Sequence, residues 1–259
     1  MPTFIALPAF QDNYIWLLTD DTSFKVTAVD PGDARPVIRW LGRHPEYQLS
    51  TILLTHHHRD HTGGVLSLKA ATQCRVLGPD NPAIDGIDRT LADGDQINLA
   101  GQSIRVIAVP GHTLDHIAFF CDDPQEPWLL SGDTLFAGGC GRVFEGTPAQ
   151  MHDSLQRLAA LPDATTIYCT HEYTQANLRF AQAVEPDNPD IRVRLEVVED
   201  LRRDGQITLP TTLALEKRTN PFLRSAEPAV VEAASRQAGG EVTPGAETFA
   251  AIRAWKDIF

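Results

Sequence analysis

The feature that most constrains this chain is the run Thr55-His56-His57-His58-Arg59-Asp60-His61. Four imidazoles and one carboxylate follow directly on the short apolar run Thr51 to Leu54. On a helix these side chains would be spread around the whole circumference. A loop at a strand end turns several of them toward one point. In an extended segment His56, His58 and Asp60 share one side, because side chains alternate with a period of two. His57 then points away, and His61 serves a neighbouring ion where the chain bends. Imidazole nitrogen and carboxylate oxygen are donors that zinc, iron and manganese accept. Crowding so many chargeable groups is unfavourable unless a cation compensates. A polyhistidine tract would sit at a terminus and would lack Asp60 and Gly63-Gly64.

Three later segments repeat the device of an apolar strand that empties into His or Asp. Val109-Pro110-Gly111-His112 places His112 at a strand end, with Gly111 allowing a tight turn. His116 follows, with a supporting hydrogen-bond role at least as well founded as ligation. Leu129-Leu130-Ser131-Gly132-Asp133 delivers a carboxylate whose two oxygens can bridge two cations. Ile167-Tyr168-Cys169-Thr170-His171 ends in another histidine. The donors divide into two sets. His56, His58 and His112 form one, Asp60, His61 and His171 form the other, and Asp133 is shared. Two divalent ions about 3.5–4 Å apart would acidify a shared water and clamp a transition state.

The surroundings of these motifs read as an α/β body followed by a helical tail. Strands are expected at Phe24 to Val29, Thr51 to Leu54, Arg75 to Leu77, Gln96 to Leu99, Ser103 to Val109, Ile117 to Cys121, Trp128 to Leu130 and Thr166 to Cys169. Met1 to Leu18 reads as a mature strand pair, because it has no basic leader and is broken by Pro8, Asp12 and Asn13. Gly64 to Thr72 and Met151 to Leu161 have helical spacing. After Tyr173 helices dominate: Ala176 to Val184, Ile191 to Arg203, Pro228 to Ala238 and Ala246 to Lys256. A boundary near residue 172 is expected, giving domains 1–172 and 173–259. The net charge of −12 argues against nucleic acid and anionic lipid as partners. No apolar run approaches the roughly 20 residues that span a bilayer. Cys74, Cys121, Cys140 and Cys169 form no CxxC pair and read as reduced thiols, which points to the cytoplasm.

HxHxDH, GHT, SGD and a strand-end histidine together resemble the metallo-β-lactamase superfamily. Asp12-Asn13-Tyr14, THHHRDHTGG, SGDTLF with CGRVFEG, THEYT, KRTNPFLR and the terminal AIRAWKD resemble glyoxalase II, the hydroxyacylglutathione hydrolases, over nearly the whole chain. The resemblance implies an α/β (α+β) fold, an αββα sandwich followed by a smaller helical domain. It also implies hydrolysis of S-D-lactoylglutathione to D-lactate and glutathione, the second step of methylglyoxal detoxification, with a metal-held hydroxide as nucleophile and Asp60 orienting it. Arg142, Phe144, Tyr173, Arg253 and Lys256 then take the glutathione. Arg253 and Lys256 are three apart on one helix face, so both can reach one carboxylate. Phe144 departs from the tyrosine common in the family, and Asp115 from a glycine. The expected cofactors are two divalent ions, zinc first, with iron or manganese accepted by the same donors. The expected protein is a monomer with a small-molecule partner. The rival readings are a single-iron glutathione persulfide dioxygenase, a lactonase of the same fold, and a non-catalytic metal-binding module.

Overall fold

In the computed structural model, which describes residues 2–259, the chain forms two compact units. Met1, the first residue of the expected strand pair and catalytic domain, lies outside the described residues. One unit comprises the chain up to Ala108 together with Asp115–Gly132, and the other comprises Val109–Leu114 and Asp133–Phe259.

In the first unit, β1 (Thr3–Ala9) and β2 (Asn13–Asp20) form an antiparallel hairpin in register from Thr3↔Thr19 to Ala9↔Asn13. β2 is buried at every position but its last, and its run Tyr-Ile-Trp-Leu-Leu supplies apolar groups to both faces. β3 (Lys25–Val29) joins it antiparallel. The chain then crosses over through α1 (Ala34–Arg43) to β4 (Gln48–Leu53), parallel to β3. A one-turn α2 (Arg59–Thr62) and α3 (Val65–Thr72) lead to parallel β5 (Arg75–Pro79) and β6 (Arg89–Leu91). Leu17, Val26, Ile52, Leu54, Leu68 and Val76 form the core under α1 and α3. Helix α1 has no counterpart in the sequence reading. Its signals are the cap of Asp33 on the Arg35 amide and the apolar positions Val37, Trp40 and Leu41.

The same unit contains a second, antiparallel run: β7 (Gln96–Leu99), β8 (Gln102–Ala108), β9 (Ile117–Cys121) and β10 (Trp128–Gly132). Phe119, Phe120, Leu129 and Leu130 are fully buried there. Phe4 meets Trp128 edge-on, with ring centroids 5.2 Å apart. The carboxyl ends of β3 and β4 open into the loops that carry Asp30 and the histidine run. Open α/β sheets hold their ligands at such strand ends.

The second unit begins with a small hairpin, β11 (Leu135–Phe136) and β12 (Gly139–Cys140). It continues with α4 (Pro148–Ala159), started by a Thr147/Gln150 capping box with Pro148 in the first turn. β13 (Thr166–Cys169) follows, then α5 (Thr174–Val184) and α6 (Pro189–Arg203). The two-residue β14 (Thr211–Thr212) pairs with β13, a strand that the proline-punctuated sequence did not reveal. α7 (Leu213–Thr219), α8 (Pro228–Ala238) and α9 (Ala246–Ile258) complete the chain. In the helical core Phe180 stacks on Phe222 at 5.9 Å between centroids, and Phe222 meets Phe249 edge-on at 5.7 Å.

One buried network explains the Asn220-Pro221-Phe222 motif. Glu216 is fully buried and accepts from Arg194 Nη2 at 2.5 Å. It also accepts from the Gly138 amide at 2.8 Å and from Asn220 Nδ2 at 3.1 Å. Asn220 in turn donates to the Phe136 and Gly139 carbonyls. The β11–β12 hairpin is therefore fixed from α7 by hydrogen bonds that water cannot replace. Removing one partner of a buried ion pair strands the other. Glu216→Ala is expected to lower unfolding free energy by about 3–5 kcal/mol in denaturant titration; a loss below about 1 kcal/mol would show that the pair is dispensable.

Candidate metal centre

In the first unit the histidine run leaves β4 as a loop and then coils. His58 caps α2 with φ −57° and ψ 143°, and the His61 and Thr62 amides both donate to its carbonyl. This corrects the expectation of an extended 56–60 segment: His56 and His58 lie in the loop, while Asp60 and His61 lie in the helical turn. The physical reason is a close approach. A Cβ at Gly32 would lie 1.7 Å from the Asp60 carbonyl oxygen, and one at Gly64 would lie 2.4 Å from the Pro31 oxygen. The Asp30-Pro31-Gly32 turn and the Gly63-Gly64 pair thus press against each other, and the run between them coils.

The turn brings the donors together. The His56 ring lies 4.7 Å from His58 and 4.1 Å from His61, centroid to centroid. His61 Nε2 is 3.4 Å from Asp60 Oδ2. His61 Nδ1 faces Asp30 Oδ2 at 3.1 Å, which leaves Nε2 for a metal. Asp30, 2% exposed, also accepts from the Thr55 amide at 2.8 Å and from Thr55 Oγ1 at 2.7 Å. Asn13 Nδ2 donates to Asp60 Oδ2 at 3.0 Å. Neither Asp30 nor Asn13 was assigned a role from sequence. Asp30 carries the same strand-end signal that nominated Asp133, but the Asp-Pro-Gly turn reading absorbed it. His57 turns away, as alternation predicted, and meets Asp115 Oδ1 at 3.0 Å; Asn81 holds the other oxygen. Asp115, where the family pattern has glycine, thus anchors the loop. His116 stacks on His56 at 4.7 Å with an interplanar angle of 17°. A Cβ at Gly132 would meet the His116 ring at 2.7 Å, so that glycine makes room for it.

In the second unit Asp133 follows β10 and sits between two imidazoles. Its Oδ2 is 3.4 Å from His112 Nε2 and 3.3 Å from His171 Nε2. His112 Nδ1 lies 2.8 Å from the Arg142 carbonyl. Donation there fixes the tautomer and again leaves Nε2 for a metal. A Cβ at Gly141 would lie 1.9 Å from the Asp133 carbonyl oxygen, so the chain returning past the carboxylate requires glycine.

The donor chemistry fits a divalent cation. His56, His61, His112, Asp133 and His171 are each no more than 6% exposed. Each of the seven sequence-nominated donors belongs to a His/Asp group able to hold a metal ion. His116 belongs to no such group among the described residues.

The residues expected to take glutathione lie in the second unit. Tyr173 stacks flat on His171 at 4.8 Å and 1°, and is 36% exposed. Phe144 is exposed and meets the edge of His112 at 5.3 Å. Arg142 lies over Phe144 and donates to Asp257 Oδ1 at 3.0 Å. Lys256 donates to the Ala176 carbonyl at 3.2 Å and lies over Phe180. Burial, and then the Arg253 charge, hold its amine down at about 8. Arg253 departs from the shared-carboxylate expectation. It is 7% exposed, and its two terminal nitrogens donate to the Cys140 carbonyl at 3.2 Å and Asp257 at 3.0 Å. The i,i+3 spacing puts it on the same face as Lys256, but that face is packed. All four cysteines are buried and free of disulfides. Burial pushes Cys140 up to about 11 and Cys169 up to about 12, which removes both as nucleophiles.

Residues 25–171 match the metallo-beta-lactamase superfamily, and residues 172–259 match the hydroxyacylglutathione hydrolase C-terminus. A hydroxyacylglutathione hydrolase of Pseudomonas savastanoi pv. phaseolicola is 60% identical over 254 residues, covering 98% of each chain. One of Pseudomonas syringae pv. syringae is 58% identical over the same share. The chain belongs to the hydroxyacylglutathione hydrolase family.

Two solved structures share the fold. ETHE1 from Myxococcus xanthus superposes with a TM-score of 0.66 at 25% identity, over 100% of this chain and 99% of its own. TTHA1623 in a di-iron-bound form superposes with a TM-score of 0.58 at 26% identity, over 85% and 100%. The metallo-β-lactamase fold is thus established, and its buried His/Asp cluster supports binding of divalent metal. No helix among the described residues is long and apolar enough to cross a membrane.

Partners that orient a metal-ligating histidine typically set metal affinity by about 10- to 100-fold. Asp30→Asn preserves shape but removes the charge behind His61. It is expected to weaken metal binding by about that factor in competition with a chromophoric chelator. Unchanged affinity would show that Asp30 serves only the loop.

Proposed function

We propose that this chain hydrolyses the thioester of S-D-lactoylglutathione, an S-(2-hydroxyacyl)glutathione, to D-lactate and glutathione, the second step of methylglyoxal detoxification. One observation carries this: the seven-donor His/Asp set occurs in the same chain as a helical C-terminus of the hydroxyacylglutathione hydrolase type. A single-iron persulfide dioxygenase or a lactonase would account for the histidine motif but not for the match over residues 172–259.

His56, His58 and His112 would hold one ion and Asp60, His61 and His171 the second, with Asp133 serving both. The place of Asp133 between His112 and His171 in its own unit, and the two oxygens of its carboxylate, support the shared role. The donors suit zinc, with iron and manganese also accepted, and the di-iron form of TTHA1623 supports a pair of ions. Such ions supply Lewis acidity, polarising a carbonyl and lowering the pKa of water. Asp60, held through Oδ2 by Asn13, orients the attacking water and takes its proton. The leaving thiolate resembles a free cysteine of pKa about 8.5, so no strong general acid is needed.

Residues 1–172 act as the catalytic domain and 173–259 as the glutathione-binding domain, with Arg142 and Phe144 contributed from the former. Lys256 and Arg142 receive the peptide carboxylates, and Phe144 and Tyr173 flank the sulfur end. Phe144 offers a ring without a hydroxyl, so it contributes packing rather than a hydrogen bond. Arg253 supports this surface by fixing Asp257 and the Cys140 carbonyl. The protein acts as a cytoplasmic monomer on a small molecule. Its −12 charge disfavours nucleic acid, and local basic residues overcome that field for an anionic peptide.

Two measurements test these roles. Asp60→Ala should lower kcat by about 100-fold or more, the scale of general base catalysis; near-normal turnover would refute the role of Asp60. Lys256 binds an anion only while charged, and its amine sits at about 8. Its contribution is therefore complete below that pH and lost above it. The kcat/KM for S-D-lactoylglutathione should fall as pH rises through about 8, and Lys256→Arg should extend the plateau upward. A wild-type profile flat across this range would remove Lys256 from the binding site.

A further inference from the structure

An open cavity of about 500 Å³ lies beside Asp60 within the first unit. Phe10, Asp33, Arg35 and Arg59 contribute side chains to its wall. None of the residues assigned to glutathione lines it. A three-carbon lactoyl group fills only a small part of such a volume.

Two features of the wall lack a structural purpose. Phe10, at the tip of the β1–β2 hairpin, has φ +50° and leaves 57% of its surface in solvent. A bulky residue in the left-handed region is strained, and exposure of the ring recovers nothing. Strain of this kind concentrates at ligand-binding sites. Arg59 is exposed at the start of α2, and no carboxylate among the described residues pairs with its guanidinium. Arg35, by contrast, is neutralised by Asp33 through contacts of 2.6 to 3.0 Å. Among the described residues Arg59 is therefore the one basic group on this wall without an ion-pair partner, and the wall's other carboxylate, Asp60, is a proposed metal donor.

We infer that this cavity is the acyl subsite of the proposed thioesterase, and that it accepts acyl chains ending in a second carboxylate, with Phe10 covering the methylenes and Arg59 pairing the distal carboxylate. The inference rests on the thioesterase reading and extends its substrate class to ω-carboxyacyl thioesters of glutathione. The reaction is the same hydrolysis. Water oxygen bonds to the acyl carbon, the C–S bond breaks, and a dicarboxylic acid and glutathione leave.

The test compares S-succinylglutathione with S-D-lactoylglutathione on the metal-loaded full-length protein. The quantity read is the ratio of their kcat/KM values. Arg59→Ala should lower the succinyl-to-lactoyl ratio by about fivefold, the scale of one exposed charge pair. Arg59→Glu should lower it further, and Arg59→Lys should restore most of it. Phe10→Ala should raise KM for the succinyl substrate more than for the lactoyl substrate. A ratio unmoved by Arg59→Glu would overturn the subsite. If the wild type hydrolyses neither thioester, the thioesterase reading fails separately, and calorimetric titration with succinate decides the cavity. Weaker binding to Arg59→Glu than to wild type would uphold the anion site, and equal binding would discard it.

Discussion

The buried carboxylate of Asp30 is the fixed point from which the metal centre is built. It accepts from the Thr55 amide and the Thr55 hydroxyl and faces His61 Nδ1 at 3.1 Å, all inside the protein. The two bonds tie the end of β3 to the end of β4, and the carboxylate beside Nδ1 sets the face that His61 presents. With the close approach at Gly32, they hold the coiled run that follows β4 against the end of β3. The cost of burying that charge is offset by its hydrogen bonds. A cation beside His61 would add a further favourable field.

The glycines around this carboxylate express the same constraint in another form. Gly32 admits the Asp60 carbonyl, and Gly141 admits the Asp133 carbonyl. In both places the backbone passes so near a donor residue that a methyl group would displace it. Rigid backbone holds the donors on strand ends and one helical turn, while the second unit fixes its own hairpin through Glu216 and Asn220. The site is thus positioned by buried polar contacts rather than by apolar packing alone.

The four strand-end motifs were legible in sequence because metal donors at strand ends have few other uses. Family resemblance rested on long motifs and covered nearly the whole chain, which the full-length relatives bear out. The coil at Arg59–Thr62 was not legible. Alternation describes only an extended chain, and the contact that bends this one lies nearly thirty residues earlier, at Gly32. The surroundings of Arg253 were not legible either. Its spacing from Lys256 gives the helix face, but spacing carries no information on what packs there. Asp30 was visible as a residue and hidden as a role, since Asp-Pro-Gly reads equally well as a turn. β14 escaped because two residues carry no periodicity.

The central claim is that buried His/Asp donors and a glutathione-binding helical tail make one hydrolytic enzyme. Its most direct test is to strip the purified protein of metal, restore metal stepwise, and follow loss of S-D-lactoylglutathione thioester together with bound metal. The account predicts no turnover in the stripped protein and activity that rises with metal to a plateau at two equivalents per chain. Full hydrolysis without metal, or oxygen consumption on glutathione persulfide at one iron per chain, would contradict it.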